Sequence, residues 1–363
     1  MSPTAQRPPD SPAGAEGRPA TGRPTLEEVA ALAGVGRGTV SRVINGSPKV
    51  SERARAAVER AVAELGYVPN RAARTLVTSR TEAIALVVPE AETRLFSEPY
   101  FSDIISGVSA ELSDSDMQLL LVLVRNERER ARLSAYLGER RVDGVLLVAV
   151  HRDDPLPTVL EELRLPAVLA GRRGDQEPLS YVAADNAGGA RMAVRHLLRR
   201  GCRRIATITG PLDMEVAQAR LAGYREALAE AGHVGPAHPV GPAHDELVGV
   251  GDFTEQGGRT AMRELLDRAP DLDAVFCASD VLAAGALQTL RAAGRRVPED
   301  VALIGFDDSI VARHTDPPIT SVRQPIEEMG RTMARLLLEE IADPGRPRRQ
   351  VVLATELVVR ESA

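Results

Sequence analysis

The stretch Thr25–Leu76 decides the fold of the N-terminal part of the chain and reads TLEEVAALAGVGRGTVSRVINGSPKVSERARAAVERAVAELGYVPNRAARTL. Its pattern predicts three short helices. Thr25, followed three residues later by Glu28, forms a capping box, and the helix that it opens ends at Gly34. Only a tight turn separates this helix from the second, so the two must cross at a steep angle. A third helix is predicted to begin after Ser51, which is a favourable N-cap.

The second helix is predicted to carry apolar side chains on one face and arginines on the other. The residues expected to face inward are Val35, Val40, Val43 and Ile44. Those expected to face outward are Arg37, Gly38, Ser41, Arg42 and Asn45. Residues 22–80 contain ten Lys or Arg against five Glu, whereas the whole chain has a net charge of −6. A basic head on an acidic body is expected when only the head meets the phosphates of nucleic acid.

Three packed helices are, on their own, equally typical of a small helical bundle. The order of residue types favours a more specific interpretation, because L-x-x-V-A-x-x-A-G-V-x-x-x-T-V-S-R-V-x-N is followed by V-S and then by G-Y-x-P-N-x-x-A-R-x-L. This order resembles the DNA-binding head of the lactose/galactose repressor family of bacterial transcription regulators. The matching residues are Leu26, Val29, Ala30, Ala33, Gly34, Val35, Thr39, Val40, Ser41, Arg42, Val43, Asn45, Gly66, Tyr67, Pro69, Asn70, Ala73, Arg74 and Leu76.

The resemblance implies which head residues contact DNA. Where the family usually has Ser at the start of the recognition helix, this chain has Gly36, and Gly38 also lacks a side chain. Base reading is therefore expected to fall to Arg37 and Arg42, since Arg is suited to bidentate contact with guanine O6 and N7. The full set of predicted DNA contacts is Arg37, Thr39, Ser41, Arg42, Asn45, Asn70, Arg71, Ala73 and Leu76.

Segments of different character flank the predicted head, which spans residues 25–68. Residues 1–24 contain six prolines, three glycines and no apolar stretch, so we expect a disordered tail and no signal peptide. A hinge helix and linker are predicted over residues 69–80. The helical part, Asn70–Leu76, is shorter than the ~12–15 residues at which isolated helices become marginal. We expect it to fold only when paired with its twin on DNA, where the family match places Leu76 as a minor-groove wedge.

From residue 81 onward, short apolar strands alternate with helical patterns. The first predicted strands are 84–88, 119–124, 144–148, 167–169 and 181–183, with helices at 101–112, 128–140 and 158–163. The second predicted strands are 205–209, 247–250, 274–277 and 301–305, with helices at 187–200, 216–231, 254–266 and 281–293. Continuous apolar strands alternating with helices predict parallel sheets that are buried on both faces. We expect two α/β lobes with a cleft between them, lobe 1 at about 81–184 and 326–345, and lobe 2 at about 185–322 and 346–363.

Polar residues gather where the predicted strands end, which is where open α/β sheets bind ligands. Asp307 and Asp308 follow one strand, Asp280 closely follows another, and the loop after a third leads to Arg220. Structural roles are also open at this point. Asp280 and Asp308 are equally well explained as helix N-caps or turn residues. For Arg220 an ion pair within one lobe is the less favoured alternative.

The second half of the chain resembles the effector domain of the same family, which is similar to periplasmic sugar-binding proteins. The matches are G-P-L with R-L-A-G-Y (210–224), G-D-F (251–253), A-S-D (278–280), G-F-D-D (305–308) and T-S-V-R-Q (320–324). The resemblance implies that Arg220 and Asp307 line a ligand cleft. Aromatic rings stack on the CH surfaces of sugars. Tyr100, Phe101 and Phe253 follow predicted strands, so we add them to the expected ligand contacts. The predicted effector contacts are Tyr100, Phe101, Arg220, Phe253, Ser279, Asp307 and Gln324.

These features together predict a fold with an all-α helix-turn-helix head and a two-lobed, periplasmic-binding-protein-like α/β effector domain. The predicted function is a ligand-responsive transcriptional repressor of carbohydrate-related genes. It is expected to act in the cytoplasm, at the nucleoid, as a homodimer on a palindromic double-stranded DNA operator. After the apolar run 357–359 only four residues remain, too few for a helical tetramerisation tail, so a dimer is expected.

Other classes of function find less support. No P-loop, G-x-S-x-G elbow or zinc spacing is present, so we expect no enzyme activity, cofactor or metal. His233, His238 and His244 lie in a Gly/Pro-rich loop without the spacing of metal ligands, and no apolar run approaches the roughly 20 residues of a membrane span. The next alternative is a solute-binding transport protein, which the head and the absence of a signal peptide oppose. An enzyme built on the two lobes comes third.

Overall fold

The computed structural model describes residues 24–44, 46–68, 80–89, 95, 97–174, 176–232 and 246–363. Contacts between residues divide the chain into two units, Met1–Arg80 and Thr81–Ala363. The predicted tail up to residue 23, the hinge helix and the three loop histidines all lie outside the described residues.

The first unit contains three helices whose ends are fixed by the predicted capping residues. The helices are α1 (Leu26–Ala33), α2 (Arg37–Ile44) and α3 (Glu52–Leu65). Thr25 and Glu28 form the reciprocal capping box of α1, which ends at Gly34 with φ of 65°. The Ser51 side chain accepts a hydrogen bond from the backbone of Ala54 at the start of α3. Because these signals are local in sequence, they position the helices before any tertiary packing is considered.

A small apolar core holds the three helices together. Its buried members are Val29, Ala30, Val40, Val43, Val58, Ala61 and Tyr67. Val29, Val40 and Val58 come from three different helices and are fully buried. Burial of valine side chains of this kind stabilises a fold by about 1.5–3 kcal/mol each, so α2 is held firmly by its inner face while its outer face remains available.

The second unit alternates strands and helices. Its strands are β1 (Ala83–Val88), β2 (Gln118–Leu123), β3 (Gly144–Leu147), β4 (Ala167–Ala170), β5 (Ser180–Ala184), β6 (Ile205–Thr209), β7 (Val248–Val250), β8 (Ala274–Cys277), β9 (Ala302–Asp307), β10 (Thr320–Arg323), β11 (Gln350–Leu353) and β12 (Glu356–Val358). Its helices are α4 (Pro99–Leu112), α5 (Glu127–Gly138), α6 (Leu156–Glu162), α7 (Asn186–Arg199), α8 (Glu215–Glu230), α9 (Glu255–Arg268), α10 (Asp280–Ala292), α11 (Ile310–His314) and α12 (Ile326–Ala342).

The strands form two sheets, each the centre of one lobe. The sheet of lobe 1 has the order β11-β5-β4-β3-β1-β2, and that of lobe 2 has the order β12-β10-β9-β8-β6-β7. All neighbouring strands are parallel except β10 and β12. Helices pack on the faces of the sheets, which explains why central strands such as β3 and β8 are buried along their whole length. The predicted fold class is confirmed.

The predicted lobe boundary near the C-terminus is wrong. Residues 346–363 were expected in lobe 2, but β11 pairs with β5 in lobe 1, with Gln350 opposite Tyr181 and Leu353 opposite Ala184. The backbone of Tyr181 also donates to the carbonyl of Arg349. The chain returns to lobe 2 only with β12. The physical reason is that the edge of the lobe 1 sheet at β5 has unpaired backbone groups, which β11 satisfies.

The chain crosses between the lobes at three places. The crossings lie between β5 and α7, between β10 and α12, and between β11 and β12. Two of them are bonded to each other, because the backbone of Asp185 donates to the carbonyl of Leu353 and Thr355 Oγ1 donates to the carbonyl of Asp185. Within the described part of the chain, no helix is long and apolar enough to cross a membrane.

Candidate functional site

A cleft lies between the lobes, at the carboxyl ends of the strands of both sheets. It encloses about 840 Å³ of empty space, part of it open to solvent. All seven predicted effector contacts line this cleft, namely Tyr100, Phe101, Arg220, Phe253, Ser279, Asp307 and Gln324. The structure therefore brings these residues together from six separate segments of the sequence.

Arg220 is the central cation of the cleft and is almost completely buried. Its Nε donates to Asn186 Oδ1 at 2.9 Å and its Nη1 donates to the carbonyl of Ala278. The guanidinium carbon lies 3.7 Å from the centre of the Phe306 ring, a stacking contact that favours a cation. Burial lowers the pKa of Arg220, which nearby Asp307 opposes, and an arginine remains charged in any case.

Asp307 is the matching anion. Its Oδ1 lies 3.7 Å from Arg220 Nη1 and accepts a hydrogen bond from Gln324 Nε2 at 2.6 Å. Burial raises the pKa of Asp307, against the opposing effects of Arg220 and Gln324. Its backbone has φ of 112°, a conformation rare outside glycine that costs of order 1–3 kcal/mol and clusters at functional sites. The pair is both an ion pair within lobe 2 and part of the cleft wall, so the two readings of Arg220 are compatible.

Apolar side chains complete the cleft wall. The Phe253 side chain is buried, its backbone has φ of 65°, and its ring lies against Gly210, where a Cβ would come within 2.1 Å of the ring. Only glycine permits that approach. Tyr100 is half-buried and contacts Phe101 edge to face at 5.4 Å between ring centres. Phe101 is 2% exposed and belongs mainly to the lobe 1 core, so its part in the cleft is a packing one.

The alternatives left open for Asp280 and Asp308 resolve as structural roles, although neither residue is an N-cap. Ser279 caps α10 by accepting from the backbone of Leu282 at 3.2 Å. Asp280 is fully buried and accepts from the Ser309 backbone at 2.7 Å and from Ser321 Oγ at 2.6 Å. Asp308 is buried against the guanidinium groups of Arg313, Arg323 and Arg360. These contacts fix the segment that follows β9. They thereby hold the end of β9, where Asp307 is the last residue.

Several polar residues of the cleft were not predicted from the sequence. Asn186 follows β5 directly, so the rule that ligands bind at the carboxyl ends of strands could have found it. Arg172 and Glu215 also line the cleft, and they meet across the two lobes at 3.0–3.1 Å. No local signal marks that pair. Glu98 is a further lining residue.

Additional contacts join the lobes beside the cleft. His151 Nδ1 lies 2.6 Å from Asp213 Oδ2, and Arg152 Nη2 donates to Gln218 Oε1 at 2.7 Å. The backbone of Arg152 donates to the carbonyl of Asp213. The loop after β3 and the loop after β6 are thus bonded to each other, so the lobes are in contact at this side of the cleft. Among the described residues, no group of three or more His, Cys, Asp or Glu could hold a metal ion.

The head presents its two predicted base-reading arginines on the surface. Arg37 and Arg42 are exposed, whereas Thr39 and Ser41 are partly buried. Arg37 Nη1 lies 2.9 Å from Glu27 Oε1, with both side chains more than half exposed, and Arg42 Nε donates to the Gly38 carbonyl of its own helix. The remaining predicted DNA contacts lie outside the described residues, namely Asn45, Asn70, Arg71, Ala73 and Leu76.

Comparison with known proteins identifies both units. Residues 25–70 match the family model of bacterial regulatory proteins of the lacI family, and residues 194–363 match that of the periplasmic binding protein-like domain. The chain is 57% identical over 343 residues to the HTH-type transcriptional regulator CelR of Thermobifida fusca, covering 94% of this chain and 98% of that protein. The chain therefore belongs to the lacI family of bacterial transcription regulators, as the sequence resemblance implied.

Two solved structures support this assignment. One is a transcriptional regulator CelR–cellobiose complex, with 54% sequence identity, a TM-score of 0.74, and coverage of 94% of this chain and all of that chain. The other is a lac repressor dimer bound to operator and an anti-inducer, with 26% identity, a TM-score of 0.80, and coverage of 94% and 99%. Both matches span head and effector domain together.

Proposed function

We propose that this chain is a homodimeric transcriptional repressor whose affinity for operator DNA is controlled by a neutral sugar bound in the cleft between the lobes. The observation that carries the proposal is the buried pair of Arg220 and Asp307 in a cleft on the same chain as a helix-turn-helix head. The CelR–cellobiose complex makes cellobiose the first ligand to test.

The charges of the cleft favour an uncharged, polyhydroxylated ligand. Among the described residues that line the cleft, the two arginines, Arg172 and Arg220, each face a carboxylate, Glu215 and Asp307, and Glu98 is a third acidic residue. A phosphorylated sugar would therefore meet no surplus of positive charge. Hydroxyl groups can both donate to a carboxylate and accept from a guanidinium, and a site built to bond hydroxyls rejects analogues that lack them.

One donor and one acceptor of the central pair remain available for such hydroxyls. Among the described residues, Arg220 Nη2 donates no hydrogen bond and Asp307 Oδ2 accepts none, and neither atom is sealed from solvent. The hydroxyl of Tyr100 is a further group at this end of the cleft, since burial and the Asp307 carboxylate raise its pKa and keep it protonated. We infer that these groups bind the sugar directly.

The head supplies the DNA-binding half of the proposal. Exposed Arg37 and Arg42 project from a helix whose inner face is fixed in the core, which is the arrangement that enters a major groove. The lac repressor dimer on its operator supports a dimer acting on a two-fold symmetric site. We place this activity in the cytoplasm, where bacterial DNA lies. We also infer that the chain has no enzyme activity, because its relative CelR is a transcriptional regulator. The hinge role of Asn70–Leu76 stays a prediction.

A mobility-shift assay with the DNA upstream of the chain's own gene tests the DNA-binding half. We expect one retarded complex at nanomolar protein that resists excess unrelated DNA, as specific binding is typically 10³–10⁷ tighter than non-specific binding. Calorimetry with cellobiose, and with cellobiose phosphorylated on one ring as a control, tests the other half. Retardation of all DNA alike, or binding of the phosphorylated sugar alone, contradicts the proposal.

A further inference from the structure

Two of the carboxylates that line the cleft, those of Asp307 and Glu215, each have one oxygen held and one without a hydrogen bond from the described residues. Asp307 has Oδ1 held by Gln324 and Oδ2 without a hydrogen bond from the described residues. Glu215 accepts two hydrogen bonds from Arg172, from Nε at 3.1 Å and from Nη2 at 3.0 Å, and both end on Oε1. Its Oε2 accepts none from the described part of the chain, and this oxygen is also accessible to solvent.

The Arg172–Glu215 pair differs from an ordinary surface ion pair in its position. Arg172 follows β4 in lobe 1, Glu215 is the first residue of α8 in lobe 2, and their side chains are 32% and 16% exposed. Exposed ion pairs contribute little to stability. This pair, however, lies in the wall of the cleft, so a ligand that fills the cleft contacts it.

Glu215 lies more than one helical turn from Arg220 on α8. Glu215 and Arg220, the partner of Asp307, are five residues apart on α8, which is about 7.5 Å along the helix axis at about 1.5 Å per residue. Both residues line the cleft, so their side chains reach it from different levels of the helix. When the first ring is bonded by Arg220 and Asp307, the unpartnered oxygen of Glu215 is available to a second, linked ring.

We propose that Arg172 and Glu215 form a second sugar subsite, which selects disaccharides over monosaccharides. In it, Arg172 fixes the carboxylate of Glu215 through Oε1, and a hydroxyl of the second ring donates to Oε2. The inference rests on the proposed function, because it assumes that the first ring binds at Arg220 and Asp307. The subsite contains one residue from each lobe, so the second ring also contacts both lobes.

Calorimetry of the full-length chain with cellobiose and with glucose tests the second subsite. Glu215→Gln keeps the shape of the side chain but removes its charge, and we expect roughly tenfold weaker cellobiose binding, the loss of one charge-assisted hydrogen bond. Glucose affinity, measured by displacement of cellobiose where it is weak, is expected to stay unchanged. Arg172→Gln is expected to act in the same direction, because the carboxylate loses its orientation.

Glu226→Gln is the matched control. Glu226 lies on the same helix and pairs with Arg191 outside the cleft, so its loss is expected to leave both sugars unaffected. Thermal unfolding of each variant without sugar confirms that it is folded. If Glu215→Gln weakens the binding of cellobiose and of glucose by the same factor, the Arg172–Glu215 pair only holds the two lobes together and the inference is wrong. It is also wrong if cellobiose affinity is unchanged. If the wild type binds neither sugar, the proposed function itself fails.

Discussion

Gln324 donates from Nε2 to Oδ1 of Asp307 at 2.6 Å, and this contact ties the cleft carboxylate to a crossing between the lobes. Gln324 lies between β10 of lobe 2 and α12 of lobe 1. Arg220 has an equivalent link, because its partner Asn186 begins α7 directly after the crossing from β5. Both members of the Arg220–Asp307 pair are thus bonded to segments where the chain passes from one lobe to the other. A ligand that moves either group acts directly on the relative position of the lobes.

Replacement of Gln324 tests whether the orientation of the carboxylate matters. Gln324→Leu removes the donor while keeping most of the volume, and we expect sugar affinity to fall by about 1 kcal/mol, the usual net value of one hydrogen bond. Calorimetry measures this loss. Operator affinity without sugar is expected to stay close to that of the wild type. An unchanged affinity for sugar shows that Arg220 alone orients Asp307.

The raised pKa of Asp307 predicts a pH dependence of sugar binding. Burial raises this pKa, and a ligand hydroxyl bonds the ionised carboxylate more strongly than the protonated carboxyl group. The free protein therefore binds more protons than the complex, so sugar affinity falls as the pH drops through the raised pKa of Asp307. This loss begins at a pH above the ~3.9 at which an ordinary aspartate titrates. Calorimetry from neutral to mildly acidic pH checks this.

Asp307→Asn provides the control for the pH series, because the variant lacks the titrating group while the other acidic residues of the cleft remain. Its weaker sugar binding should not change further over the same pH range. If the wild type and the variant have parallel pH profiles, the pH dependence of sugar affinity comes from another carboxyl group.

Arg37 is expected to read a base, although in the free head it pairs with Glu27. Both side chains are exposed, at 73% and 60%, and such a pair is worth only about 0–1 kcal/mol, so a guanine can replace Glu27. Arg37→Ala should lower discrimination at one position of each half-site by about 1–3 kcal/mol. Competition with a set of operator variants measures the loss.

The matched control for Arg37 is Arg60→Ala, an exposed arginine on α3, which should leave base preference intact. If Arg37→Ala weakens all sequences equally and lowers the dependence of affinity on salt, Arg37 contacts phosphate and the assignment is wrong.

Asp280 is expected to support the site through stability, not through ligand contact. Its replacement by Ala leaves the Ser309 N–H and the Ser321 hydroxyl without their acceptor, which should reduce the free energy of unfolding by about 2–3 kcal/mol. Urea denaturation measures this. Asp271→Ala, at a pair with Arg204 whose acidic side chain is 69% exposed, should change it by about 0.5 kcal/mol or less. Equal effects of the two variants would argue against the structural role of Asp280.

Much of the fold could be predicted because its signals are local. The capping box at Thr25 and the glycine at position 34 define α1, and the continuous apolar strands β1, β3 and β8 are readable from a few residues each. The strands near the C-terminus were harder. β10, β11 and β12 have only three or four residues each, and each mixes polar with apolar side chains. The sheet that β11 joins depends on the path of the whole chain.

The candidate site could be predicted where it follows strand ends and could not where it depends on contact between the lobes. Asp307 is the last residue of β9 and Ser279 follows β8, and these apolar strands mark their positions. Arg172 and Glu215 are 43 residues apart and belong to different lobes, so neither side chain has a local pattern that indicates the other.

Measurement of operator affinity as a function of cellobiose concentration tests the central claim most directly. Fluorescence anisotropy with labelled operator DNA provides it, on the wild type and on Asp307→Asn. We expect cellobiose to change the operator Kd of the wild type by about 5- to 150-fold, the range of ordinary allosteric coupling. The variant should bind operator as well as the wild type without sugar and show no response at the same sugar concentrations. A wild type that binds cellobiose by calorimetry, yet has the same operator Kd with and without it, would contradict the account.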